Sequence, residues 1–202
     1  MSEETNAMAD LGPVARGVAG LLDGVGEDRL DDPTPCEEYR VRDLLRHLLG
    51  LTLAFRAAGR KELGEYTRTN PADPESRPPS LGGDWRGRLR EQLEGMAEAW
   101  RDPAAWEGTT EAGGVTLPGA VAGQVGLNEL LVHGWDLAVA TGQPYACDEA
   151  SARVSIALLS HETDDADRDT SGIFGHVVPV PPDAPLLDRA IALSGRRPDW
   201  TP

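Results

Sequence analysis

The chain of 202 residues is short of several residue types, and each shortage removes a class of explanation. Cysteine occurs only at Cys36 and Cys147, far apart and in no CxxC pair, so neither a zinc ribbon nor a thioredoxin-type redox motif is available. Two idle or buried thiols in a reducing compartment is the favoured reading. Lysine is reduced to Lys61 alone, and 19 Lys plus Arg stand against 34 Asp plus Glu, a net charge of -15. With no cluster of basic and aromatic residues to track a phosphate backbone, neither nucleic acid nor an anionic membrane is expected as a partner. Nowhere do the ~18 consecutive apolar residues of a membrane span occur, and Met1 to Asp10 lacks a cationic segment followed by an apolar core. A cytoplasmic address is expected. There is no Gly-x-Ser-x-Gly elbow and no Gly-x-Gly phosphate signature, which disfavours serine hydrolase and nucleotide chemistry.

What remains is a hydrophobic fraction of 40%, enough to bury a real core. The expectation is one domain over residues 1–202, with 164–202 as a packed C-terminal extension. Asp10 and Pro13 open a first helix through Leu11, Val14, Val18, Leu21 and Leu22, ending near Gly26. The prolines of Asp31-Asp32-Pro33-Thr34-Pro35-Cys36 make an extended linker. A second helix from about Val41 to Ala58 puts Leu44, Leu48, Leu51 and Phe55 around His47, with arginines on the other side. Asn70 to Gly83 reads as a surface loop, and Asp84 caps a third helix with Leu89, Leu93, Met96 and Trp100 as its buried stripe. Thr109-Thr110 and Val115-Thr116 around Gly113-Gly114 predict a small hairpin. A long fourth helix then runs from near Pro118 to Gly142. Asp148 caps a fifth, reaching about His161; Asp164 to Ser171 reads as a loop, and a last helix starts at Asp183 and ends at Gly195.

The fourth helix is apolar nearly all round, which requires protein on every side. Its strongly polar side chains include Glu129, His133 and Asp136, whose offsets of four and three return them to one face. Burying them costs free energy unless they are satisfied, and a metal ion is the most economical partner. Glu129 and His133 offer an oxygen and a nitrogen from adjacent turns, and His47 offers a second nitrogen from another helix. Two histidines and a carboxylate leave one position open, as a catalytic zinc requires; nickel or non-haem iron also suits the set. Asp136 lies one turn beyond His133, and Asp43 one turn before His47. Each is placed to accept a hydrogen bond from the far ring nitrogen of its histidine. The plainer alternatives are an arginine salt bridge for Asp136, a helix-start charge for Asp43, and a core in which His and Glu merely satisfy one another. His161 and His176 have no ligand-spaced partner, and their roles stay open.

Thr34-Pro35-Cys36, then Val41-Arg42-Asp43-Leu44-Leu45-Arg46-His47-Leu48, then Asn128-Glu129-Leu130-x-x-His133-Gly134-Trp135-Asp136-Leu137 together resemble the metal-binding domain of mycothiol-dependent maleylpyruvate isomerases, within the DinB-like superfamily. Pro179-Val180-Pro181, Asp183-Ala184-Pro185-Leu186-Leu187-Asp188 and Gly195-Arg196-Arg197-Pro198 resemble the same family's ending. Tyr39 stands where the pattern has Trp. The resemblance implies an all-α fold, a DinB-like four-helix bundle, here with a small β-hairpin and extra C-terminal helices. It also implies one divalent metal, most simply zinc, on His47, Glu129 and His133, and a low-molecular-weight thiol, usually mycothiol, as cosubstrate for isomerisation or S-transfer to an electrophile. The tail is too short for the separate C-terminal domain of the isomerases, so the substrate does not carry over. A noncatalytic metal-binding or ligand-binding helical protein is the competing expectation. A homodimer is compatible with either.

Overall fold

A computed structural model describes residues 8–69, 79–161, 168 and 175–202. Its described helices are α1 (Gly12–Leu21), α2 (Val41–Gly59), α3 (Glu65–Arg68), α4 (Trp85–Ala99), α5 (Pro103–Trp106), α6 (Gly119–Ala140), α7 (Glu149–Leu159) and α8 (Leu186–Leu193). Among the described residues the only sheet is an antiparallel pair, β1 (Thr109–Ala112) and β2 (Val115–Pro118). Helices α1, α2, α4 and α6 pack on one another as the bundle, and α7 joins α6 to α8. The fold is therefore mostly α, as the helical periods require, and its centre is the DinB-like bundle that the resemblance implies. No described helix is long and apolar enough to cross a membrane.

The helix starts follow their capping chemistry. Asp10 accepts from the Gly12 amide at 2.8 Å, Asp84 from Gly87 at 2.9 Å and Asp148 from Ser151 at 3.0 Å. Each satisfies an amide that the first turn leaves without a partner. The last helix departs from the expected start at Asp183. It begins at Leu186, because Pro185 holds an extended ψ of 145° as its cap and disfavours helical backbone at Ala184. The short helices α3 and α5 were not legible as periods, being one turn each. The loop expected over Asn70 to Gly83 lies outside the described residues for its first nine positions, and so, apart from Arg168, does the one over Asp164 to Ser171.

The hairpin forms where Gly113-Gly114 allows it. Both have positive φ, 61° and 79°, the backbone of the tight turn that matches strand twist, and Ala112 pairs with Val115. The pair does not stand alone. Thr110 donates its hydroxyl to the Ala58 carbonyl at 2.7 Å, and Gly114 N–H donates to Thr67 O at 2.9 Å. Lys61 Nζ gathers the carbonyls of Ala105, Glu107 and Thr109 at 3.0, 3.0 and 3.3 Å. That cage lies beside the start of α6.

Helix α6 is buried along most of its 22 residues. Helix α4, packed on α2 and α1, brings Leu89, Leu93 and Met96 into the core, and Trp100 beyond it donates Nε1–H to Phe55 O at 2.9 Å. The close seating of α6 depends on glycines: a Cβ at Gly126 would come within 2.9 Å of the Phe55 ring, and one at Gly119 within 2.5 Å of the Ala105 carbonyl oxygen. Backbone carbonyls held by Lys61 cannot step aside. Gly119→Ala is predicted to cost about 2 kcal/mol as overpacking, read as a lowered urea midpoint with an unchanged m-value.

Candidate metal centre

Helix α6 carries Glu129 and His133 on adjacent turns, and α2 crosses it so that His47 faces them from the other wall. Glu129 Oε2 lies 3.2 Å from His47 Nε2 and 3.4 Å from His133 Nε2. One carboxylate oxygen thus sits between two imidazoles whose ring centroids are 4.7 Å apart. Among the described residues this trio is the one group of His, Cys, Asp or Glu whose ligand atoms gather closely, all within 4.8 Å of one another. Zinc bonds to nitrogen and oxygen of about 2.0–2.1 Å in tetrahedral geometry place neighbouring donors roughly 3.3 Å apart. The two observed separations match that edge, so the donor set fits a small divalent cation.

The cluster is walled by protein but not sealed. The side chain of His133 is 8% exposed, His47 12% and Glu129 22%. Burial by itself would raise the Glu129 pKa, but hydrogen bonds from His133 and His47 outweigh it and hold the carboxyl well below the usual carboxylate range. Burial would likewise depress His133, yet its bonds to Asp136 and Glu129 push it up to about 9. Without a cation the cluster would be a carboxylate neutralised by a protonated imidazole.

Asp136 is where its spacing placed it. Fully buried, it accepts from His133 Nδ1 at 3.0 Å. Its remaining capacity goes to Arg196, which reaches Asp136 Oδ2 through Nη2 at 3.2 Å and Oδ1 through Nε at 3.4 Å. Arg196 arrives there through the end of α8. Gly195, at φ 87°, closes that helix with its N–H on Ala192 O and the Arg196 N–H on Ile191 O, both at 3.1 Å. This is the paired-bond helix stop that only a left-handed residue makes easily.

Asp43 corrects the expectation drawn for it. It sits on the third residue of α2 and accepts from the Arg40 backbone N–H at 3.3 Å, so it serves the helix start. The place beside His47 Nδ1 belongs to the Tyr39 hydroxyl, at 3.3 Å. Tyr39 is held there by Thr34, whose hydroxyl lies within hydrogen-bonding distance of the carbonyls of both Tyr39 (2.7 Å) and Cys36 (2.9 Å). Sequence reasoning missed both Tyr39 and Arg196 as site residues. A tyrosine in a linker and an arginine in a tail carry no periodic signal toward histidines on other elements.

The sequence profile of the mycothiol maleylpyruvate isomerase N-terminal domain matches residues 11–138. The chain belongs to that family. Two relatives, each described as an uncharacterized protein, come from Mycobacterium tuberculosis strains CDC 1551 / Oshkosh and ATCC 25618 / H37Rv. Each is 29% identical over 178 residues, covering 88% of this chain and 91% of the relative. No solved structure matches. Arg196 lies beyond the matched segment, in the C-terminal tail.

The other sulfur and imidazole groups stand apart. Burial pushes the Cys36 thiol up, against the pull of the nearby Arg196 guanidinium, and Cys147 is pushed up to about 12 by burial and by Asp148. Neither is a ready thiolate. His161 and His176 are exposed and lie outside the cluster.

Two outcomes follow from this geometry. His133 has a folded pKa raised from 6.5 to about 9, so its contribution to the metal-free protein is complete below pH 6.5 and is lost as pH rises through 9. Chemical denaturation of chelated protein at pH 6 and pH 9 checks the sign: stability is expected to be lower at pH 9. Arg196→Ala leaves Asp136 buried with one cation fewer and is expected to cost about 3 kcal/mol. Equal unfolding midpoints for variant and wild type would refute the clamp.

Proposed function

We propose that the protein is a divalent-metal-dependent enzyme that activates a low-molecular-weight thiol, of the mycothiol type, for transfer to or isomerisation of an electrophile. The observation that carries this reading is the three-donor trio with Glu129 partly open to solvent. A structural zinc takes four protein ligands, whereas a catalytic one keeps a position free. Three gathered donors and an accessible edge favour the catalytic reading over a staple between helices. The family description supports a mycothiol-related role.

His47 Nε2, His133 Nε2 and Glu129 Oε2 would hold the ion. When bound, the metal supplies positive charge that stabilises a thiolate at neutral pH. The chain's own residues do the rest. Asp136 holds His133 in the tautomer that leaves Nε2 free, and Arg196 keeps Asp136 from turning away. Glu129 offsets part of the cation's charge. His133 must release its proton before Nε2 can act as a donor, so metal affinity is expected to rise with pH up to about 9.

The test has two parts. Metal content of purified wild type, His47→Ala and Glu129→Ala, by elemental analysis, should show about one zinc per chain falling to a small fraction in both variants; nickel or iron would appear in the same measurement. Unchanged stoichiometry in both variants would reject the ligand set. For the chemistry, mycothiol added to cobalt-substituted protein should produce a sulfur-to-cobalt charge-transfer band. No band and no turnover with electrophilic acceptors would leave the noncatalytic reading standing.

A further inference from the structure

His47 has a problem that His133 does not. Its Nε2 lies 3.2 Å from Glu129 Oε2, an acceptor, and its Nδ1 lies 3.3 Å from the Tyr39 hydroxyl. With no cation bound, a neutral His47 would carry its proton on Nε2, donate it to Glu129, and accept at Nδ1 from the Tyr39 O–H. If Nε2 instead offers its lone pair to a cation, the ring proton has to sit on Nδ1. The partner at Nδ1 must then accept where it formerly donated. For His133 the orienting group is the carboxylate of Asp136, an acceptor only, which already favours the Nδ1–H form.

We infer that the Tyr39 hydroxyl is a reversible hydrogen-bond partner that lets His47 exchange one tautomer for the other when the site is loaded. The inference rests on the metal-binding reading of His47. The proton account is simple: Nε2 loses one proton, Nδ1 gains one, and the imidazole is neutral before and after. Rotation about the phenol C–O bond turns Tyr39 from donor to acceptor without moving its ring.

The surroundings support a phenol in this place over other groups. Burial, with the neighbouring Cys36 and Glu129 charges, pushes the Tyr39 hydroxyl up to about 12, so it keeps its proton and both capacities at neutral pH. Thr34 pins its backbone, and its ring lies 5.2 Å from that of His47 and 6.2 Å from that of His133. Tyr39 is thus a positioning residue, acting through His47.

One substitution removes both capacities: Tyr39→Phe keeps the ring and takes away donor and acceptor together. Zinc affinity, measured by chelator competition at pH 7.5, is expected to fall about tenfold in Tyr39→Phe, the loss typical of removing a ligand's orienting partner. An affinity within twofold of wild type in Tyr39→Phe overturns the inference. If His47→Ala still abolishes zinc binding in that case, the metal reading survives; if His47→Ala binds normally, that reading has failed.

A second measurement needs no variant. Long-range proton–nitrogen spectra of the wild-type imidazoles should show the His47 proton on Nε2 in chelated protein and on Nδ1 after zinc addition, with the Tyr39 hydroxyl proton shifting in the same titration. A His47 already protonated on Nδ1 and neutral in the chelated protein would overturn the exchange.

Discussion

One oxygen atom, Oε2 of Glu129, lies 3.2 and 3.4 Å from two imidazole nitrogens that reach it from different helices, and the rest of the bundle has to hold that arrangement. A carboxylate on so apolar a helix is expensive unless it is paired. Here the two histidines more than offset the burial, which is why the acid stays ionised. The same grouping makes a donor set for a cation, since protons and a metal compete for the same lone pairs. Electrostatic necessity and functional capacity are one feature of this core.

Around that atom the support is uneven. His133 is fixed by a buried chain, Asp136 then Arg196, and the second link comes from the C-terminal segment by way of a glycine helix stop. His47 is fixed by a neutral hydroxyl on a linker that Thr34 makes rigid. One wall carries compensating charges and the other carries a hydroxyl of either polarity. The exposed edge at Glu129 lies between them, which leaves the cluster approachable while its histidines are held.

The glycines of α6 explain how such a helix can be buried on nearly every side. Gly119 lies against carbonyls gathered by the single lysine, and Gly126 lets Phe55 and Met96 close on the helix. Close approach brings α2 near enough for His47 to meet Glu129. The small hairpin belongs to this scaffold and not to the chemistry, since it ties α2 and α3 to the start of α6.

Features that repeat along one element were legible in the residues alone. Apolar periods marked α1, α2, α4, α6, α7 and α8, Gly113-Gly114 marked the hairpin, and offsets of four and three put Glu129, His133 and Asp136 on one face. His47 was legible as a histidine centred on a buried stripe. Its meeting with Glu129, the capping role of Asp43, and the contributions of Tyr39 and Arg196 were decided only in three dimensions. Asp43 and Tyr39 lie four residues apart, yet their roles depend on whether the backbone between them is helical or extended. Arg196 lies sixty residues from Asp136, and no local period couples a tail to a helix across that separation. Local geometry is written in the spacing of residues along a helix, while contacts between elements depend on how closely those elements pack.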